Sequence, residues 1–286
     1  MTKKIAIVTD SSSALDFMPH DYDNIYLVRM PITFGDEEYI DGLTITADEF
    51  YERIKNEPII PTTSMPSLGE TMELYEKLRD EGYTDIIHYP ISKGISGTYQ
   101  ALHSIKDTVD GVTVHIIDTK STALILGYLV LEAARLVREG KTVEEVIEYS
   151  NYLANNYYVY FMVDDLTYLI KNGRLSNAAG FIGSFLKIKP ILVFNEQGEI
   201  IGINKIRTTK KAMNHIIDAF NEDVKQYKKV QPFISYAGDQ VLKEKLMQAA
   251  IEKTGRHDFI DAILPAVIGA HVGYSVASIG YFILEK

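Results

Sequence analysis

The chain has 286 residues, 29 Lys and Arg against 39 Asp and Glu, and a formal net charge of −10 at pH 7. That balance argues against a nucleic-acid or anionic-surface binder, which needs clustered basic residues, and the length suggests two domains. There is no cysteine, which removes disulfides, thiolate nucleophiles and thiolate metal sites.

The chain enters a strand-like run at Ile5–Val8 with no apolar leader before it. No stretch reaches the ~18 uninterrupted apolar residues of a spanning helix, so the chain reads as cytoplasmic. A second apolar run spans Ile25–Val28. Thr46 or Asp48 opens a short helix over Asp48–Ile54, and Leu68–Glu81 is helical with Gly82 at its C-terminal cap. A strand at Asp85–Tyr89, a turn at Gly94–Gly97 and a helix at Tyr99–Lys106 follow. Another strand at Val112–Ile117 then leads into a long helix reaching about Glu139. Thr142 and Glu145 form a capping box for a helix to about Asn155. Strands alternating with helices imply βαβ units and a mostly parallel sheet.

From about Tyr157 the pattern changes. A strand at Tyr158–Val163 and a helix at Leu166–Lys171, closed by Gly173, precede a very apolar helix at Ala178–Leu186. Two strand-like runs, Ile191–Asn195 and Glu199–Asn204, flank Glu196-Gln197-Gly198, a hairpin signal. A helix at Lys210–Tyr227, a strand at Pro232–Tyr236, a helix at Val241–Thr254 and a strand at Ile279–Leu284 complete the chain. The fold class expected is α/β in two domains. Residues 1–157 form a mostly parallel α/β sandwich and residues 158–286 a mixed α+β domain.

Three strands of the first half run into turns of Ser, Thr, Gly and Asp: Asp10-Ser11-Ser12-Ser13, Ser92 to Thr98, and Asp118-Thr119-Lys120-Ser121-Thr122. In a parallel sheet such turns gather at the carboxyl ends of the strands, where ligands bind, and the helix N-termini that follow favour an anion. The competing account is ordinary N-capping. The Ser92–Thr98 turn stands apart, because Gly94 and Gly97 bracket Ser96 and suggest a close approach. Ser96 as a hydrolase nucleophile would need glycine where Thr98 stands. The phosphate-loop and dinucleotide fingerprints are absent, and no spacing suggests a metal. Pro61-Thr62-Thr63-Ser64-Met65-Pro66 is an extended, hydroxyl-rich segment, read either as an anion contact or as a polar linker. His271 lies in an apolar, glycine-flanked stretch, where a satisfied core residue is the commoner outcome. Arg174 and Ile206-Arg207-Thr208-Thr209-Lys210-Lys211 supply local positive charge, either solvated or facing a phosphate-carrying partner.

Eight segments in order carry a resemblance to a known family. They are Val8–Ser12, Thr62–Pro66 with Gly69-Glu70, Ser92–Tyr99, Ile117–Ser121, Lys171–Leu175, Leu186–Pro190, Arg207-Thr208 and Ala270–Gly273. Over essentially the whole chain the sequence resembles the DegV family, bacterial fatty-acid-binding proteins that serve as acyl carriers for a fatty acid kinase. The resemblance implies two α/β domains with a long-chain fatty acid between them. It places Thr63 and Ser96 on the carboxylate, with Thr62 and Gly97 beside them and His271 supporting the head-group network. The Ala178–Leu186 helix would wall the acyl tunnel. Arg174 and Arg207 would serve partner recognition or phosphoryl transfer, with no catalytic residue and no cofactor of the chain's own. In that scheme the kinase phosphorylates the carboxylate, the acyl-phosphate feeds phospholipid synthesis, and membrane contact is transient. A lipid-binding sensor or store uncoupled from the kinase is the alternative. Hydroxyls and helix N–H groups can satisfy the carboxylate while leaving it reactive, whereas a buried Lys or Arg would lower its nucleophilicity. The chain departs from the family at Met65, at Lys93, which adds charge near the carboxylate or the mouth, and after His271, where Gly273-Tyr274-Ser275 follows.

Overall fold

The computed structural model describes residues 3–180 and 188–286. Strand β1 (Ile5–Asp10) is buried along its whole length, and a strand covered on both faces reads as an unbroken apolar run rather than an alternation. After it come β2 (Ile25–Val28) and a hairpin of β3 (Pro31–Phe34) and β4 (Glu37–Ile40). Helix α1 (Ala47–Asn56) starts on a reciprocal capping box between Thr46 and Glu49. Then follow the two-residue β5 (Thr62–Thr63), α2 (Leu68–Asp80), β6 (Asp85–Tyr89), α3 (Thr98–Ile105) and β7 (Thr113–Ile116). Helices α4 (Ala123–Arg138) and α5 (Val143–Ala154), the latter opened by the expected Thr142–Glu145 box, end the first half.

Four of these strands form a parallel sheet in the order β2-β1-β6-β7. The period of two along β1 sends Ile5 and Ile7 to the α4–α5 side and Ala6 and Val8 to the α2–α3 side. Strands β4-β3-β5 make a small antiparallel sheet in which Thr63 pairs with Ile32. This sheet is a departure from expectation: β5 is too short to show any periodicity.

The second half comprises β8 (Tyr157–Val163), α6 (Thr167–Lys171), β9 (Lys189–Phe194), β10 (Ile200–Ile206) and α7 (Thr209–Asp223). It continues with β11 (Lys229–Tyr236), α8 (Gln240–Thr254), β12 (Ile260–Ile263), α9 (Ala266–Val272) and β13 (Val276–Glu285). Its six-stranded sheet has the order β10-β9-β8-β13-β11-β12, antiparallel except for the β11–β12 pair. Helices α7 and α8 cover one face through Ile216, Ile217, Phe220 and Leu246. The other face, with Phe161, Phe233 and Phe282, joins a core cluster that also holds Met30, Ile32 and Phe50 of the first half.

Strand β12 and helix α9 are not anticipated by the sequence pattern. Helix α9 is seven residues long, has no side-chain cap, and is buried nearly throughout; a helix apolar all round shows no stripe. It packs against α1, α6, β3, β5 and the 3₁₀ turn at Ser11–Ser13. Of the helix expected at Ala178–Leu186, Ala178–Gly180 form a 3₁₀ turn and the remainder lies outside the described residues. Helix α7 ends at Asp223, earlier than expected, in a 3₁₀ turn over Val224–Gln226. Among the described residues no helix is long and apolar enough to cross a membrane.

Candidate functional site

Thr63, Ser96, Arg174 and His271 line one cavity. Four separate elements supply them: β5, the turn before α3, the loop after α6, and α9. Thr63 Oγ1 lies 2.7 Å from His271 Nε2, a hydrogen bond between residues 208 positions apart. Asn172 holds the two segments together, its Nδ2 donating to the Pro61 carbonyl at 3.3 Å and to the Ala270 carbonyl at 3.0 Å. Asn172 is thus a positioning residue that motif reading did not single out, although it sits beside the Gly173-Arg174 pair.

Burial, reinforced by the Arg174 charge, pushes the His271 imidazole down to about 4, so it is neutral at physiological pH. Its Nδ1 is buried and has no partner among the described residues. Ser96 is set by its own turn: its N–H donates to the Ser92 carbonyl at 3.1 Å, and its hydroxyl lies 2.8 Å from Thr98 Oγ1. The Thr98 N–H donates to Ser96 Oγ at 3.2 Å. The hydroxyl therefore faces a hydroxyl rather than an imidazole. The cavity is bordered by hydroxyls and by a guanidinium.

Thr62 and Gly97 are placed differently. Thr62 precedes Thr63 on the alternate face of β5 and is exposed, and Gly97 is exposed at the start of α3. Neither lines the cavity. A Cβ added at Gly97 would meet nothing within 4 Å. The close approach anticipated at the glycine-bracketed turn occurs at Gly94, and what approaches is protein. A Cβ there would lie 2.6 Å from the backbone of Gly198, at the tip of the β9–β10 hairpin. The Ser92 hydroxyl donates to the Gly198 carbonyl at 2.8 Å. Lys93 pairs with Asp118 at 2.9 Å, which neutralises the charge expected to bear on the carboxylate. Arg207 is exposed and follows the end of β10. It lies roughly 20 Å of strand away from Ile200, which borders the cavity at the other end of β10. The structure thus separates Arg207 from Arg174.

The other two polar turns knit loops together. Buried Asp10 accepts from the Ser12 N–H at 3.0 Å, from the Ser12 hydroxyl and from the Ile91 N–H at 2.8 Å. The Thr119 hydroxyl donates to the Pro90 carbonyl at 2.8 Å. Capping accounts for the first turn, whereas in the second Thr122 heads α4 without a side-chain cap, donates to the Ser12 carbonyl at 3.2 Å and reaches the cavity.

Thr122, Ile200, Ile268 and Val272 also border a second cavity, which makes the two into lobes of one slot. The second lobe is walled by Ile125 of α4, Phe161 of β8, Phe194 of β9 and Val276 of β13. Ala178, Ala179 and Gly180 are not among its wall residues. The slot runs from hydroxyls, an imidazole and a guanidinium into a nearly wholly apolar interior between the six-stranded sheet and helices α4 and α9. No group of three or more His, Asp or Glu able to hold a metal occurs among the described residues.

The family model described as "Uncharacterised protein, DegV family" matches residues 4–284. A DegV domain-containing protein of Staphylococcus aureus is 36% identical over 283 residues, covering 97% of either chain. The DegV protein of Bacillus subtilis is 34% identical over 270 residues, covering 94% of this chain and 95% of that one. Among solved structures, a fatty acid binding DegV family protein from Streptococcus agalactiae superposes with a TM-score of 0.90 at 30% identity, covering 98% of this chain and 99% of the other. The Bacillus subtilis DegV structure, described as a fatty acid binding protein, gives 0.87 at 33% identity with the same coverage. The fold, with its parallel sheet and separate mixed sheet, and the match along nearly the whole length lead to one conclusion: this chain belongs to the DegV family.

Proposed function

We propose that the chain binds a long-chain fatty acid, with the carboxylate at Thr63 and Ser96 and the acyl chain in the apolar lobe. The observation that carries this reading is the polarity of the slot: hydrogen-bonding groups converge at one end, and apolar side chains wall the other. Each methylene removed from water contributes about 0.8 kcal/mol. A carboxylate leaving water needs several donors, and the Thr63 and Ser96 hydroxyls and the Arg174 guanidinium are available to it. The fatty acid binding of the Streptococcus and Bacillus relatives supports the same assignment.

In this reading the protein is a carrier. It offers the bound carboxylate to a fatty acid kinase that makes the acyl-phosphate, and residues 1–157 and 158–286 act as the two domains that enclose the ligand. The arrangement at Ser96 favours a carrier over a serine hydrolase: His271 is committed to Thr63 and Ser96 to Thr98, so no nucleophile–base pair forms. Arg174 lies beside the carboxylate site, where it steadies negative charge at some cost to the nucleophilicity of the bound carboxylate. Exposed Arg207 is available to a partner.

Solvent extraction of the purified protein followed by mass spectrometry, together with titration of delipidated protein with oleate and palmitate, tests ligand binding. A long-chain fatty acid is expected to co-purify and to rebind; absence of both sinks the reading. Addition of a fatty acid kinase and ATP is expected to yield acyl-phosphate. Binding without phosphorylation would point instead to a lipid store or sensor that uses the same site.

A further inference from the structure

The apolar lobe contains one polar group with no hydrogen-bond partner among the described residues. Ser235 lies on β11 among its wall residues and is 6% exposed. Strand alternation puts it on the same face as Phe233, toward α4 and α9, while Ile234 faces α7 and α8. Its cross-strand neighbour Ser278 also lines the lobe, but the Ser278 hydroxyl is occupied. It accepts from the Ser235 N–H at 3.1 Å and donates to the Ser235 carbonyl at 3.0 Å. The Ser235 hydroxyl itself has no hydrogen-bond partner among the described residues, although the strands around it are otherwise satisfied. The Ser235 oxygen is not among the sealed polar atoms of the interior, so it opens on the lobe; against a saturated chain lying there it would have no partner, which is destabilising.

Resting on the fatty-acid reading of the slot, we infer that Ser235 is a polar subsite for a hydroxyl or oxo group carried part-way along the acyl chain. The Ser235 hydroxyl can donate to either group and accept from a hydroxyl. The lobe's other two hydroxyls already donate within the protein, Ser278 to the Ser235 carbonyl and Thr122 to the Ser12 carbonyl at 3.2 Å, and the rest of the wall is apolar, so the position of the substituent along the chain decides whether it meets Ser235. The ligand class is therefore a mid-chain oxygenated long-chain fatty acid, accepted alongside the unsubstituted one.

The test is a competition titration of delipidated protein with stearate and with a positional series of monohydroxystearates, on the parent and on Ser235→Ala. The parent is expected to bind at least one mid-chain isomer as tightly as stearate or more tightly, and isomers hydroxylated elsewhere more weakly. Ser235→Ala is expected to lose roughly 3- to 10-fold on that isomer alone, the worth of one neutral hydrogen bond, with stearate unchanged or slightly tighter. Ser235→Thr, which keeps the hydroxyl, is expected to retain the positional preference. The inference is overturned if Ser235→Ala shifts stearate and the hydroxylated chain equally, or if the parent rejects every isomer relative to stearate. Failure of stearate itself to bind overturns the underlying reading, and this subsite with it.

Discussion

The hydrogen bond between Thr63 and His271 acquires a fixed polarity once an ionised carboxylate is bound. A carboxylate only accepts, so the Thr63 hydroxyl must donate to it, and His271 Nε2–H must donate to Thr63 at 2.7 Å. The other ring nitrogen is then an acceptor, and it is the buried nitrogen without a partner among the described residues. Thr63→Val keeps the shape and removes the donor to a charged acceptor. It is expected to weaken fatty acid binding by about 1–3 kcal/mol in a calorimetric titration, with Ser96→Ala acting in the same direction. His271→Gln retains a donor and is expected to weaken binding less than Thr63→Val; the reverse order would argue against this polarity. The imidazole also leaves a mark on stability. It titrates near 6.5 when unfolded and at about 4 when folded. Between those values the unfolded chain holds more protons than the folded one, so stability falls as pH drops through that window. Urea midpoints at pH 7 and pH 5 are expected to differ less in His271→Gln than in the parent.

At the scale of elements, the hairpin tip and the Ser92–Thr98 turn are built for each other. Gly198 has φ +74°, a Cβ on it would meet Ser92 Oγ and the Lys120 backbone, and Gly94 is pressed against the same tip. Gly94→Ala or Gly198→Ala is expected to cost roughly 2 kcal/mol or more of unfolding free energy. Gly97→Ala, with open space around it, is expected to unfold like the parent. If all three matched the parent in urea, the docking of hairpin on turn would be wrong. A buried carboxylate lies beside the start of helix α9. Asp41 is nearly fully buried next to Ser11 and Val267, its Oδ2 has no hydrogen-bond partner among the described residues, and burial lifts its carboxyl to about 7 despite the nearby Arg29. Here the folded chain holds the extra proton, so this group's contribution is lost as pH rises from about 4 through 7. Asp41→Asn is therefore expected to gain relative stability above pH 7, read as a urea midpoint that declines less steeply from pH 6 to pH 8. How well each element could be read in advance follows from the same physics. Strands β1 and β6 are fully buried and built around short apolar runs closed by turn residues, and α1 and α5 carry complete capping boxes; all four are visible in the residues alone. Strand β5 has two residues, and α9 has neither cap nor polar face. Each exists because of what packs on it.

Across the whole molecule, the candidate site exists only through contacts that close long loops: Thr63 to His271, Ser92 to Gly198, and Tyr51 Oη to the Leu264 carbonyl at 2.9 Å. No local pattern encodes such distances, which is why the residue types were legible and their convergence rested on family resemblance. It is also why the glycine-bracketed turn pointed to a ligand where the partner is a hairpin. The same contacts tie the two halves of the chain together. The cluster containing Phe50, Leu129, Phe161, Leu192, Phe233 and Phe282 draws on both halves of the chain, and the slot runs between them, so a ligand there touches groups from each. A ligand that binds only the folded state stabilises it by RT ln(1 + [L]/Kd), about 2.7 kcal/mol at a hundredfold excess over Kd. Scanning calorimetry of delipidated protein is therefore expected to show a single transition that moves upward as a whole when oleate is added. The shift should be smaller in Thr63→Val at the same oleate concentration. Two resolved transitions, with only one responding to oleate, would mean that the halves unfold independently and that the ligand is held by one of them alone.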